Sequence, residues 1–247
     1  ESAARALVQA RIDQPFVLGG GCLFRFLLIR LDDERHWLSV QAHHLIIDGW
    51  SFGEMFKSLD DIYNALANGQ PAPASAPSYL DFIADDTRYR ASSRYALDRR
   101  YWLDKYRQLP EPLLLPRHQP SRAGKTVQTQ VFTQPLPALL HERMKQVARG
   151  VGASAFHVLL AALHVYFSRT AQRDEWVVGL PILNRGGARF KSTLGLFAQI
   201  SAVHMAFGRQ RTFGELVRAI RDELRKDFRH QRFPVSEMNR ALGLLRE

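Results

Sequence analysis

At 247 residues, with 46% apolar and 23% charged residues, the chain can bury one large core or two smaller ones and has the balance of a globular protein. Its single cysteine, Cys22, excludes an intramolecular disulfide and fits a reducing, cytoplasmic setting, and no apolar run reaches the ~18 residues needed to cross a bilayer. The formal net charge of +10 admits an anionic partner, but no nucleic-acid-binding motif accompanies it. In the last segment Arg218, Arg221, Arg225, Lys226 and Arg229 are interspersed with Glu215, Asp222, Glu223 and Asp227 at helical spacing, the pattern of a solvated helix face.

In chain order, residues 1–10 form one or two helical turns, and 11–21 are irregular, broken by Pro15 and Gly19-Gly20-Gly21. Residues 23–31 read as a strand, 32–35 as a turn and 36–43 as the returning strand, so a hairpin delivers His43 and His44. A sharp turn at Asp48-Gly49 follows. Ser51 and Glu54 then make a capping box for a helix whose apolar stripe is Phe52, Met55, Phe56, Leu59, Ile62, Tyr63 and Leu66, ending at Gly69. A second helix starts at 78–83, and a third, 95–109, turns Tyr101, Trp102 and Tyr106 inward. Residues 110–124 hold four prolines and little periodicity, which places a lobe boundary there. Beyond it come a strand at 126–132, an amphipathic helix at 135–148, and a helix capped by Ser154 that is apolar almost all round and therefore expected to be buried. His157 and His164 lie two turns apart on that helix as structural residues. A buried strand at 176–181, another at 200–205 and a helix opened by a Thr212–Glu215 capping box complete the pattern.

His44 is a candidate general base, because an unperturbed imidazole titrates near neutral pH. Neighbouring residues on a strand point to opposite faces, so His43 and His44 cannot both line one site. No helical His pair with an adjoining carboxylate suggests a metal, and no Gly-rich loop after a strand suggests a nucleotide.

The string His43-His44-Leu45-Ile46-Ile47-Asp48-Gly49 resembles the His-His-x-x-x-Asp-Gly signature of the condensation domains of non-ribosomal peptide synthetases, which belong to the chloramphenicol acetyltransferase superfamily. Four more stretches resemble that family's motifs, in the family's order. They are Tyr79-Leu80-Asp81-Phe82, the run from Gly179 through Pro181 to Asn184-Arg185, the run from Gly195 through Phe197 to Ser201, and His230-Gln231-Arg232-Phe233-Pro234. Gln199 stands where Asn is usual. The resemblance implies an α/β, two-lobed chloramphenicol acetyltransferase-like fold, present in part: residues 1–115 as the C-terminal part of the first lobe, 116–247 as the N-terminal part of the second. Starting at Glu1 rather than Met, the sequence reads as a piece of a larger multidomain chain.

By the same resemblance the activity is acyl transfer. An amine on a downstream carrier protein attacks the thioester of an acyl or peptidyl group on an upstream carrier, and an amide forms. No cofactor binds directly; the carriers bring phosphopantetheine arms. The implied site comprises His44, with His43, Asp48 and Gly49. Asp48 is implied to pair with Arg185, Arg25 being the other candidate, while Gly49 admits the reacting carbonyl and Trp50, Ser51 and Gln199 line the substrate channel. Three alternatives stand beside this reading: a starter-type domain using a fatty acyl group from coenzyme A or a carrier, an epimerisation domain, and a catalytically silent platform whose basic helix holds an acidic carrier.

Overall fold

The computed structural model describes residues 1–113 and 131–244. Most of the expected boundary at 110–124 and most of the strand expected at 126–132 therefore lie outside the described residues. The chain divides into two compact units, Glu1–Ser92 with Leu183–Ala198, and Ser93–Ile182 with Gln199–Glu247.

The first unit contains α1 (Ser2–Ile12), β1 (Phe24–Arg30), β2 (His36–Ala42), α2 (Gly49–Ala67) and α3 (Tyr79–Arg90). β1 and β2 form the expected antiparallel hairpin, with Phe24 opposite Ala42 and Arg30 opposite His36. Its turn is closed by Asp32, whose Oδ1 accepts from the backbone N–H groups of Glu34 and Arg35, a short side chain substituting for a backbone acceptor. The start of α2 differs from expectation. Asp48, not Ser51, is its N-cap, accepting from the Ser51 N–H at 2.8 Å. An aspartate with extended backbone just before the first helical residue satisfies an otherwise orphaned donor, which frees the Ser51 hydroxyl for other work. The helix ends as expected: Gly69 takes φ +68° and Gln70 N–H reaches back to Ala65 O at 2.8 Å.

The second unit contains α4 (Ser93–Lys105), α5 (Ala138–Gly150), α6 (Ala155–Thr170), β3 (Glu175–Ile182), β4 (Gln199–Ala206), α7 (Phe213–Arg229) and α8 (Val235–Ala241). β3 and β4 pair antiparallel, and Trp176, Leu180, Val203 and Met205 from them join Val158, Leu160 and Ala161 of α6 and Leu216, Val217, Ile220 and Leu224 of α7 in one core. The apolar face of α7 follows the 3.6-residue period, and Thr212 and Glu215 cap it reciprocally as expected.

α6 corrects one expectation. It is not buried all round: Phe156, Leu159, Leu163 and Tyr166 on its outer side are each more than 40% exposed. Periodicity could not separate the two faces, because both are apolar. His157 and His164 are structural. The His157 ring closes the cap at Ser154, and His164 is buried and stacked on Trp176, where loss of hydration holds its basicity below the usual imidazole range. Among the described residues no single helix is long and apolar enough to cross a membrane.

Candidate active site

β2 ends at Ala42, one residue earlier than expected. His43 extends the ladder by one bond, its N–H donating to Leu23 O at 2.8 Å. Its ring is half-buried: Nδ1 accepts from the Leu45 N–H at 3.1 Å and the ring meets Phe16 edge-on. His44 sits in the turn that follows, exposed, with no hydrogen-bond partner among the described residues. The two imidazoles thus have different surroundings, but through a turn rather than through alternation along a strand.

The turn leads into a dense polar knot. Asp48 is 3% exposed and its carboxylate accepts four hydrogen bonds. Oδ1 takes Ser51 N–H and Arg185 Nη2 at 3.1 Å, and Oδ2 takes Phe197 N–H at 2.9 Å and Ala198 N–H at 3.0 Å. Arg185 is also buried. Its Nη1 donates to the carbonyls of Phe190 (2.7 Å) and Thr193 (2.8 Å), and its guanidinium lies 4.0 Å from the centre of the Phe197 ring. Arg25, the other candidate partner, instead donates to the carbonyls of Arg11, Gln14 and Pro15.

Ser51 does not line a channel, contrary to expectation. It is fully buried, donating to Gly195 O at 2.7 Å and accepting from Gly195 N–H and from Arg185 Nη2. The physical reason is the cap: with Asp48 holding the end of α2, the hydroxyl one turn in faces residues 193–198. Two motifs read separately in the sequence meet here. Tyr79 donates to Leu196 O and packs edge-on against Phe197. A Cβ on Gly195 would lie 2.1 Å from the Tyr79 ring, so only glycine fits that position.

Burial pushes the Asp48 carboxyl up, but N–H donation from Ser51, Phe197 and Ala198 and the charge of Arg185 outweigh it, holding the group below the usual carboxylate range. A depressed carboxyl stabilises the fold fully above its unfolded pKa of about 3.9 and loses that contribution as pH falls through the lower folded value. In an acid titration followed by circular dichroism, the parent is expected to lose stability below pH ~4 through this group. Asp48→Asn should lack that component; an unchanged acid limb would show that Asp48 does not carry it.

The remaining expected site residues fall as follows. Trp50 is partly exposed and donates from Nε1 to Lys191 O at 2.9 Å. Gln199 opens β4 in the second unit, half-buried, with Oε1 buried and unpartnered among the described residues. Gly49 is exposed, and a Cβ there would meet nothing within 4 Å. The fold therefore does not demand glycine at 49. Gly49→Ala is expected to leave the unfolding temperature within a degree or so while lowering turnover; equal loss of both would make the position structural. An open groove of about 640 Å³ lies between α1 and β2, lined by Arg5, Trp37 and neighbours, and no motif residue lines it. Among the described residues no three His, Cys, Asp or Glu side chains converge as a metal site.

An α/β chain with a His-His turn locked at its exit by an Asp–Arg–Ser knot is the class that fold and site define. The family profile described as "Condensation domain" matches residues 1–247, and the chain belongs to that family. It is 31% identical over 248 residues to a linear gramicidin synthase of Brevibacillus parabrevis, covering all of this chain and 3% of that protein. Among solved structures it is similar to the first condensation domain of the CDA synthetase, at TM-score 0.80 and 28% identity, over 98% of this chain and 54% of that one. It also shares the fold of VibH, described as an NRPS condensation enzyme, at TM-score 0.83 and 20% identity, over 99% of this chain and 57% of that one. The fold is thus the chloramphenicol acetyltransferase-like fold of condensation domains, and the chain spans about half the length of those solved domains.

Proposed function

We propose that this chain contributes the His-motif part of a condensation domain that forms an amide bond between two carrier-bound groups in non-ribosomal peptide synthesis. The carriers present their substrates on phosphopantetheine arms, and the reaction belongs in the cytoplasm, a setting that suits the lone exposed thiol of Cys22. The observation that carries the reading is the contrast within the motif. His43 is tied into the hairpin and Asp48 into the knot, while the imidazole of His44 is exposed and has no hydrogen-bond partner among the described residues.

In the proposed reaction His44 meets the attacking amine. An α-amino group has a pKa near 7.7–8.0, so part of it is already neutral. The catalyst's task is to hold the nitrogen against the thioester carbonyl and accept its proton as the C–N bond forms and the thiolate of the upstream arm leaves. Asp48 does not orient His44 in the manner of a triad, because its four acceptor contacts all go to Ser51, Arg185, Phe197 and Ala198. Its part is to hold the exit of the turn rigid, so that Gly49 and His44 keep a fixed place. In the complete synthetase with both carriers loaded, intact mass spectrometry should show the donor group gained by the downstream carrier and lost by the upstream one. A downstream carrier whose mass stays unchanged while its substrate's configuration inverts would assign the site to epimerisation instead.

A further inference from the structure

Tyr79, the first residue of α3, sits against the loop that braces the start of α2. Ser78 fixes where α3 begins by accepting from the Leu80 N–H. The Phe82 ring then lies 4.4 Å from that of Phe197 and 5.5 Å from that of Phe190. The half-buried Tyr79 places its ring 5.1 Å from Phe197 and donates its hydroxyl to Leu196 O. Burial, then the carboxylates of Asp48 and Asp86, push the phenol above its usual range, so the hydroxyl stays a donor.

Gly195 is where this packing meets the His turn. Its N–H donates to Ser51 Oγ at 3.0 Å, and its carbonyl accepts from Ser51 Oγ at 2.7 Å and from Asp48 N–H at 3.2 Å. The last of these bonds bears on His44. The turn is pinned upstream by His43 N–H on Leu23 O, and internally by Leu45 N–H on His43 Nδ1 and Ile46 N–H on His43 O. Asp48 N–H on Gly195 O pins its downstream end. Glycine has the most backbone freedom of any residue, and so is a poor anchor by itself. The Tyr79 ring removes that freedom. It occupies the space of a Cβ on residue 195, which would stand 2.1 Å from Tyr79 Cδ2 and 2.3 Å from Cε2.

We propose that Tyr79 is a positioning residue for His44, acting through Gly195 and the Asp48 N–H. Under the condensation reading above, on which this assignment rests, His44 takes the proton of the attacking amine. Such a transfer needs a heavy-atom separation of about 2.6–3.2 Å, and a misplacement of about 1 Å can cost ~10²-fold in rate. A Gly195 no longer held by the ring carries the acceptor of Asp48 N–H with it, and the turn bearing His44 shifts by the same path.

The test is a double-mutant cycle between Tyr79 and His44 on the complete synthetase, read as single-turnover amide formation per folded molecule with both carriers loaded. Tyr79→Leu removes ring and hydroxyl and should slow amide formation about tenfold or more, up to the ~10²-fold of a 1 Å misplacement, with the carrier KM unchanged. Tyr79→Phe keeps the ring and should recover most of that rate. In the His44→Ala background the Tyr79 changes should cost nothing further, because residues that act through one group are not additive. Equal losses with and without His44 would overturn the proposal, as would a Tyr79→Leu protein with the parent's rate. Hydrogen exchange read by mass spectrometry needs no chemistry: peptides spanning 45–48 should exchange faster in Tyr79→Leu than in the parent, and parent-like protection there would also overturn it. Should Tyr79→Leu fail to fold, Tyr79→Phe carries the cycle, with a loss of a few fold expected only where His44 is present. A parent that forms no amide would instead remove the condensation reading, and the exchange comparison would still decide whether Tyr79 holds the turn.

Discussion

Asp48→Ala is expected to cost the fold about 3–5 kcal/mol, the loss typical of removing one partner from a buried ion pair. Asp48 and Arg185 are 3% and 6% exposed, and four donors converge on the carboxylate. Its removal leaves a buried guanidinium without its counter-charge, two backbone N–H groups at Phe197 and Ala198 without an acceptor, and α2 without its cap. Arg185→Ala should cost a similar amount, since it strands the carboxylate and frees the carbonyls of Phe190 and Thr193. The double variant should cost less than the sum of the two, because each single change already breaks the shared bond. Chemical denaturation of the three variants and the parent checks this. A fully stable Asp48→Ala protein would mean that the knot does not hold the turn, and would reopen a catalytic role for the carboxylate.

His44→Ala is expected to do the opposite, lowering condensation by about 10²–10⁴, the range of a lost general acid–base group, or roughly 3–5 kcal/mol of transition-state stabilisation. Thermal unfolding should scarcely change, because His44 is exposed and unpartnered among the described residues. His43→Ala should instead reduce soluble yield more than turnover per molecule. Its ring accepts from Leu45 N–H, packs against Phe16 and shapes the turn on which His44 stands. A variant pair with these effects reversed would exchange the roles of the two histidines.

Much of the architecture was legible because it rests on local rules. The hairpin, the α7 capping box, the glycine end of α2 and the two strands of the second unit are each specified by alternation, caps or turn residues within a short window. The site was legible mainly as motifs, and the pairing of Asp48 with Arg185 rather than Arg25 came only with the resemblance. What was missed depends on long-range partners. Ser51 reads as a cap because Glu54 follows three residues later, yet Asp48 outcompetes it. A signal was present: aspartate directly before the first helical residue is among the strongest N-caps. The outer face of α6 could not be told from its inner face, since Phe156 and Leu159 are as apolar as Val158 and Leu160. Nor do the balanced charges of α7 reveal that helix's partners, because spacing gives the angle of each residue but not that Lys105 of α4 draws Glu223 and Asp227 to itself.

The proposed proton transfer rests on the imidazole of His44, exposed and without a hydrogen-bond partner among the described residues, on a turn whose exit Asp48 holds. Its most direct test is a single-turnover measurement on the complete synthetase with His44→Ala, both carriers loaded beforehand and the amide product identified by intact mass. The expected result is the same product formed about 10²–10⁴ times more slowly than by the parent, with carrier loading unchanged. Turnover within about threefold of the parent would contradict the claim and leave catalysis to the proximity of two tethered substrates alone.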